Sequence, residues 1–149
     1  MPPTERKWTT PSGKAEFLIF DGLEEDPVVT DKAILKLTTI RSHDQYNTTI
    51  YGLNDRYRGV FGRRDVLFMN AADLAGLDLA HGDLVQIETA LPSGEPRRLS
   101  LTAIAHDIAR GSVAAYYPEA NGLVPLDYCD KESGTPSYKS VPVRVGRTA

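Results

Sequence analysis

The sequence predicts a mainly β domain of barrel type, with short helical insertions and long loops. Three observations predict it. About seven short runs have strand composition. One stretch alone carries helix-capping chemistry. Clusters of Gly, Pro, Asn and Asp separate the runs at close intervals.

Residues 14–20 (KAEFLIF) have the aromatic and aliphatic content of a strand. Residues 21–32 are acidic, contain Pro27, and read as an exposed loop. Residues 34–39 (ILKLTT) set Ile34 and Lys36 against Leu35 and Leu37, the alternation of a strand. Residues 40–65 have no sustained apolar period and read as loop, with room for one short helical turn. An ordered domain seldom carries so long a loop without a use for it. Residues 66–69 form a short strand. Asn70 then stands where a helix N-cap stands, with Asp73 as a capping-box-like partner. The helix covers residues 71–75, and Gly76 takes the left-handed position after it. His81-Gly82-Asp83 is a turn, residues 84–89 (LVQIET) a strand, and Pro92-Ser93-Gly94 a second turn. Residues 97–106 put Leu99, Leu101, Ala103 and Ala105 on one face and pair with 84–89 as a hairpin. Residues 112–117 are a strand, 121–139 are loop-rich, and 141–145 close the domain. Pro142 suggests an edge or a bulge there.

Composition excludes several classes. A chain of 149 residues suits one domain. Its net charge of −3 argues against a nucleic-acid binder. The single cysteine, Cys129, excludes an internal disulfide and a cysteine-rich metal cluster. No apolar run approaches the roughly 20 residues of a membrane span, and residues 1–11 lack a signal-peptide core. The expected location is therefore the cytoplasm, and Met1 reads as a domain cut. No dinucleotide fingerprint, phosphate-binding P-loop, nucleophile elbow or His-Glu-x-x-His is present. His43, His81 and His106 lack metal-ligand spacing, so no metal site is assigned, and a nucleophilic pair of Cys129 with a histidine has as little to support it.

One constellation remains. Residues 39–64 hold Arg41, Arg56, Arg58, Arg63 and Arg64 against Asp44 and Asp55, a local charge of +3, with no lysine. The guanidinium fork matches phosphate oxygens in a bidentate way. Thr39, Ser42, Thr48 and Thr49 add hydroxyl donors, while Asp44, Gln45 and Asn47 suit a base or a ribose. The competing reading is a solvated loop whose arginines pair with surface carboxylates.

The run Leu37-Thr38-Thr39-Ile40-Arg41-Ser42-His43-Asp44-Gln45-Tyr46-Asn47-Thr48 resembles the signature of the molydopterin dinucleotide-binding domain of molybdopterin oxidoreductases. Further likenesses follow in order. Gly13-Lys14-Ala15-Glu16-Phe17 resembles the family's opening strand. Phe68-Met69-Asn70-Ala71-Ala72-Asp73, with residues 76–85, resembles its helix, turn and strand, although the family usually has Pro at Ala71. Residues 111–121 resemble the strand and loop that bear a cofactor-contacting Asn. Ser137-Tyr138-Lys139 resembles a late aromatic-Lys pair. The detailed form is most similar to formate-dehydrogenase-like alpha subunits.

The resemblance covers residues 12–146. It implies a six-stranded double-psi β-barrel at 13–146, with a linker lead-in at 1–12 and a tail at 147–149. It implies that the chain binds the nucleotide part of molybdopterin guanine dinucleotide, with molybdenum or tungsten held by other domains. The cofactor-binding residues it implies are Thr39, Arg41, Ser42, His43, Asp44, Gln45, Asn47, Thr48, Asn121 and Lys139. Arg41 has the alternative of pairing with Asp44, His43 that of an ordinary loop residue, and Asn121 and Lys139 those of turn and surface residues. Tyr116 and Tyr117 read as core or barrel-edge aromatics. The partners implied are the remaining domains of the same oxidoreductase chain, and the isolated domain is expected to be inactive. The rival is a stand-alone double-psi barrel that binds a protein or a small ligand. A long upstream reading frame favours the first, and a natural start at Met1 the second.

Overall fold

The computed structural model describes residues 4–17, 19, 31–92 and 94–148. Its strands are β1 (Leu35–Ile40), β2 (Gln45–Tyr46), β3 (Thr49–Ile50), β4 (Val66–Met69), β5 (Leu84–Thr89), β6 (Arg98–Ala105), β7 (Ser112–Tyr116) and β8 (Val141–Arg147). One α-helix, α1 (Ala71–Gly76), follows β4, and a 3₁₀ helix covers Glu119–Leu123. Six strands close a barrel in the order β1-β7-β4-β6-β5-β8. β1 runs parallel to β7, and β4 parallel to β6, while the other ladders are antiparallel. This is a double-psi β-barrel.

Alternation in the sequence sets what faces inward. Leu35, Leu37, Leu67, Met69, Val85, Ile87, Leu101, Val113 and Val143 meet inside, and Leu74 of α1 plugs the same core. β4 is buried on both faces, as its unbroken VLFM run requires. Its outward pair, Val66 and Phe68, joins Val60, Ala114 and Tyr116 in a second cluster. Val60 belongs to the long loop, so this cluster seats the loop against the barrel wall. The loop holds two small ribbons in place of the expected helical turn: β2 paired with β3, and an Asp55–Val60 bridge. Gly59, at φ 69°, turns the second ribbon in a conformation that favours glycine.

Several expectations need correction. Residues 14–17 and 19 carry no strand, and Leu18, Phe20 and residues 21–30 lie outside the described residues. Asn70 caps α1 through its side chain, which accepts from Ala72 N at 2.9 Å. The left-handed residue after the helix is Asp78 (φ 54°), because α1 continues through Gly76. Asp73 makes no capping box; its carboxylate accepts from Gly111 N at 2.7 Å and Arg110 Nε at 3.2 Å. Ser93 of the 92–94 turn is outside the described residues. Pro142 sits inside the closed barrel, not at an edge. Its carbonyl accepts from Ala90 N at 2.8 Å, so its nitrogen points past the end of the β5 ladder. Lys36 opposite donates the other way, to Gly111 O, so no ladder bond needs the missing N–H.

Phe68→Ala is expected to cost about 3–5 kcal/mol in urea unfolding. Amide exchange in the 55–60 ribbon should rise with it, since Phe68 packs in the cluster that seats the ribbon.

Candidate functional site

Parallel registration builds the site. Ile40 pairs with Tyr116, so Arg41 and Tyr117 leave the barrel side by side. Tyr117 N donates to Ile40 O at 3.0 Å, and Arg41 Nε donates to the Tyr117 hydroxyl at 3.2 Å. The Tyr117 hydroxyl donates to Asn47 O, and Arg41 donates a second bond to Asn47 Oδ1 at 3.3 Å. On the other side of β1 the antiparallel β8 brings in residues 138 and 139. Thr39 N donates to Tyr138 O at 3.1 Å, Thr38 Oγ1 to Lys139 O at 2.8 Å, and Lys139 Nζ to Thr39 O. The 3₁₀ helix after Tyr117 adds Asn121.

Between these segments lies an open cavity of about 790 Å³. Its polar wall is Thr39, Arg41, Arg58, Asn121 and Lys139, and its aromatic wall Tyr117 and Tyr138. Val124, Pro125 and Leu126 form an apolar side. Three cations and no carboxylate line it. Arg58 is tied to Asp55 at 2.5 Å. Neither Arg41 nor Lys139 has a carboxylate within ion-pair distance among the described residues. The guanidinium of Arg41 is charged at any working pH, and its hydrogen bond to the Tyr117 hydroxyl raises its pKa further above the ordinary value. Arg41 does not pair with Asp44, whose Oδ1 lies 3.8 Å from His43 Nε2.

Asp55 anchors Arg58 from beneath. It is 1% exposed and accepts from the Tyr116 hydroxyl at 2.8 Å. Burial pushes its pKa up, but the Tyr116 and Arg58 bonds outweigh burial and hold the carboxyl below its ordinary value. Burial, then Asp55, pushes the Tyr116 phenol far up. Asp55 Oδ1 is buried without a hydrogen-bond partner.

Of the expected binding residues, Thr39, Arg41, Asn121 and Lys139 line the cavity; Ser42, His43, Asp44, Gln45, Asn47 and Thr48 do not. Ser42 and Gln45 surround Arg64 instead: Arg64 donates to Ser42 Oγ, and to Gln45 Oε1 at 2.9 Å. His43 packs edge-on against Tyr57, with ring centroids 4.4 Å apart, and Thr48 is exposed. The remaining arginines point elsewhere. Arg56 lies over Tyr57, and Arg63 bonds Asp65 and Thr102. Sequence reasoning missed Tyr117 as a cavity residue, and named Arg58 as one of five phosphate-suited arginines without singling it out. Alternation along β7 was the available signal for Tyr117, since it must face away from the buried Tyr116.

Because the Asp55 pKa is depressed, its stabilising share is present above the ordinary aspartate value and is lost as pH falls through the folded value. The stability difference between wild type and Asp55→Asn should therefore be constant near neutrality and shrink below about pH 4, measured by urea unfolding across pH.

A family model described as "Molydopterin dinucleotide binding domain" matches residues 35–142. Protein YdeP of Escherichia coli (strain K12) is 46% identical over 144 residues, 95% of this chain and 19% of that protein. A Mycobacterium tuberculosis (strain ATCC 25618 / H37Rv) protein named Uncharacterized oxidoreductase Rv2900c is 44% identical over 154 residues, 99% of this chain and 19% of that protein. The chain thus spans about a fifth of the length of these curated relatives. Among solved structures, acetylene hydratase from Pelobacter acetylenicus matches with a TM-score of 0.62 at 14% identity, covering 99% of this chain and 25% of that one. That likeness concerns the fold. No helix among the described residues is long and apolar enough to cross a membrane.

Proposed function

The chain belongs to the molydopterin dinucleotide binding domain family, and on that premise we propose that its cavity holds the nucleotide half of molybdopterin guanine dinucleotide. The whole enzyme, on this reading, is a molybdenum or tungsten oxidoreductase of formate-dehydrogenase-like type. The other domains of the same polypeptide hold the metal-bearing half. The supporting observation is charge: Arg41, Arg58 and Lys139 converge on one cavity whose lining contains no carboxylate, in a chain of net charge −3. A diphosphate is the ligand such a wall suits best. The volume of about 790 Å³ also lies within the usual range of small-ligand sites.

When bound, the cofactor supplies a two-electron redox centre through its dithiolene-held metal. This chain's residues bind, orient and shield. Arg41 and Lys139 offer N–H donors to phosphate oxygens, and Arg58, fixed by Asp55, adds a charge that cannot swing away. Asn121 offers both a donor and an acceptor to a ribose. The apolar side formed by Val124, Pro125 and Leu126 keeps water from one flank of the ligand, which strengthens the ionic contacts there. His43, Asp44 and Thr48, exposed further along the loop, are proposed for the guanosine end, where a carboxylate can accept from the base's N–H groups. Asn47 acts through Arg41, while Ser42 and Gln45 bond Arg64 rather than the cavity.

Acid release from the full-length protein should yield a guanosine phosphate by mass analysis. Titrated with GDP at low salt, the chain should lose roughly tenfold in affinity on Arg41→Met or Lys139→Met. Release of no guanosine nucleotide, or wild-type GDP affinity in both variants, would sink the reading.

A further inference from the structure

Of the five arginines in the 39–64 segment, Arg64 is the one buried residue, at 6% exposed, and it does not line the cavity. Its guanidinium reaches two segments at once. Nε donates to Glu119 Oε1 at 2.6 Å, and Nη2 to Glu119 Oε2 at 3.1 Å, in the 3₁₀ helix. Nη2 also donates to Tyr117 O and to Gln45 Oε1, both at 2.9 Å, and Nη1 donates to Ser42 Oγ. The cation lies 4.9 Å from the Tyr116 ring centre. Its own backbone is tied to the barrel, since Arg64 O accepts from Val66 N at 2.8 Å, at the start of β4.

We propose that Arg64 is the positioning residue of the cavity: it touches no ligand, but it fixes the groups that hold Arg41 and Tyr117. This inference rests on the nucleotide-binding reading above for what the cavity receives, and on hydrogen-bond geometry for the rest. The path is short. Gln45, gripped by Arg64, donates to Tyr117 O at 2.9 Å and to Asn47 O at 3.1 Å. Asn47 and Tyr117 are the two hydrogen-bond partners of the Arg41 guanidinium. Through Tyr117, Arg64 is thus two hydrogen bonds removed from Arg41, and through Gln45 and Asn47 three. Its polar partners all belong to residues 42–45 and 117–119, the segments that flank the cavity. Its guanidinium meets the packed wall through the Tyr116 ring, and its backbone through Val66 N. A lysine cannot replace it, because one ammonium lacks the planar fork that spans these acceptors. Burial makes the arrangement stringent, since a buried charge that loses partners is penalised rather than solvated.

The test compares Arg64→Lys and Arg64→Met with wild type in the 149-residue chain, by residue-level amide exchange and by GDP titration. Exchange at residues 41–47 and 117–121 should accelerate about tenfold or more in both variants, while β5 and β6 keep wild-type protection. GDP affinity should fall with it, although no cavity-lining charge has changed. Each of these results would overturn the proposal: unchanged exchange in those segments, equal loosening of the barrel strands, or wild-type behaviour in Arg64→Lys. Loosened segments with unaltered GDP affinity would also refute it. If wild type itself takes up no GDP, the nucleotide reading fails, and the exchange comparison alone decides the role of Arg64.

Discussion

The parallel ladder between β1 and β7 is the constraint on which the cavity depends. Parallel pairing makes the two strands end at the same height, so the residues that follow them emerge as neighbours. Arg41 and Tyr117 are 76 positions apart in the chain, yet the register leaves them side by side. β8 approaches β1 from the other side in the opposite sense, so its preceding residues, Tyr138 and Lys139, reach the same opening. Three distant stretches therefore converge without any one of them carrying a complete motif.

The arginines of the long loop show how environment divides one residue type among several tasks. Arg64 is enclosed and fully engaged with Glu119, Gln45, Ser42 and Tyr117 O. Arg58 is half committed, gripped by Asp55 while still facing the cavity. Among the described residues Arg41 bonds neutral groups and has no carboxylate within ion-pair distance. Tyr116 joins the first two: its ring lies beneath Arg64, and its hydroxyl meets Asp55. The wall that seats the loop thus also sets where its charges end up.

Much of the barrel was legible in the sequence, because strands buried on one or both faces write their period into it. Val66–Met69 and Leu84–Thr89 have the same bounds in sequence and structure. The Asn70 cap was legible for the same local reason. What local pattern could not show was pairing across the chain. Pro142 looked like an edge residue because nothing in residues 141–145 shows that β1 and β5 flank them. The cavity follows the same division. Arg41, Asn121 and Lys139 stood out by residue type and by likeness to a family. Ser42 and Gln45 could not be told apart from ligand-facing residues, because their partner Arg64 lies about twenty positions away. Arg58 was hidden among like neighbours, and only the Asp55 ribbon aims it.

Closure of the sheet has a further effect. In the order β1-β7-β4-β6-β5-β8 each barrel strand has a neighbour on both sides, so among the described residues the closed sheet has no edge strand. Such a sheet offers a neighbouring domain little edge on which to add a strand. Contacts with other domains then fall to side chains, and the loops around the barrel are where these vary most freely.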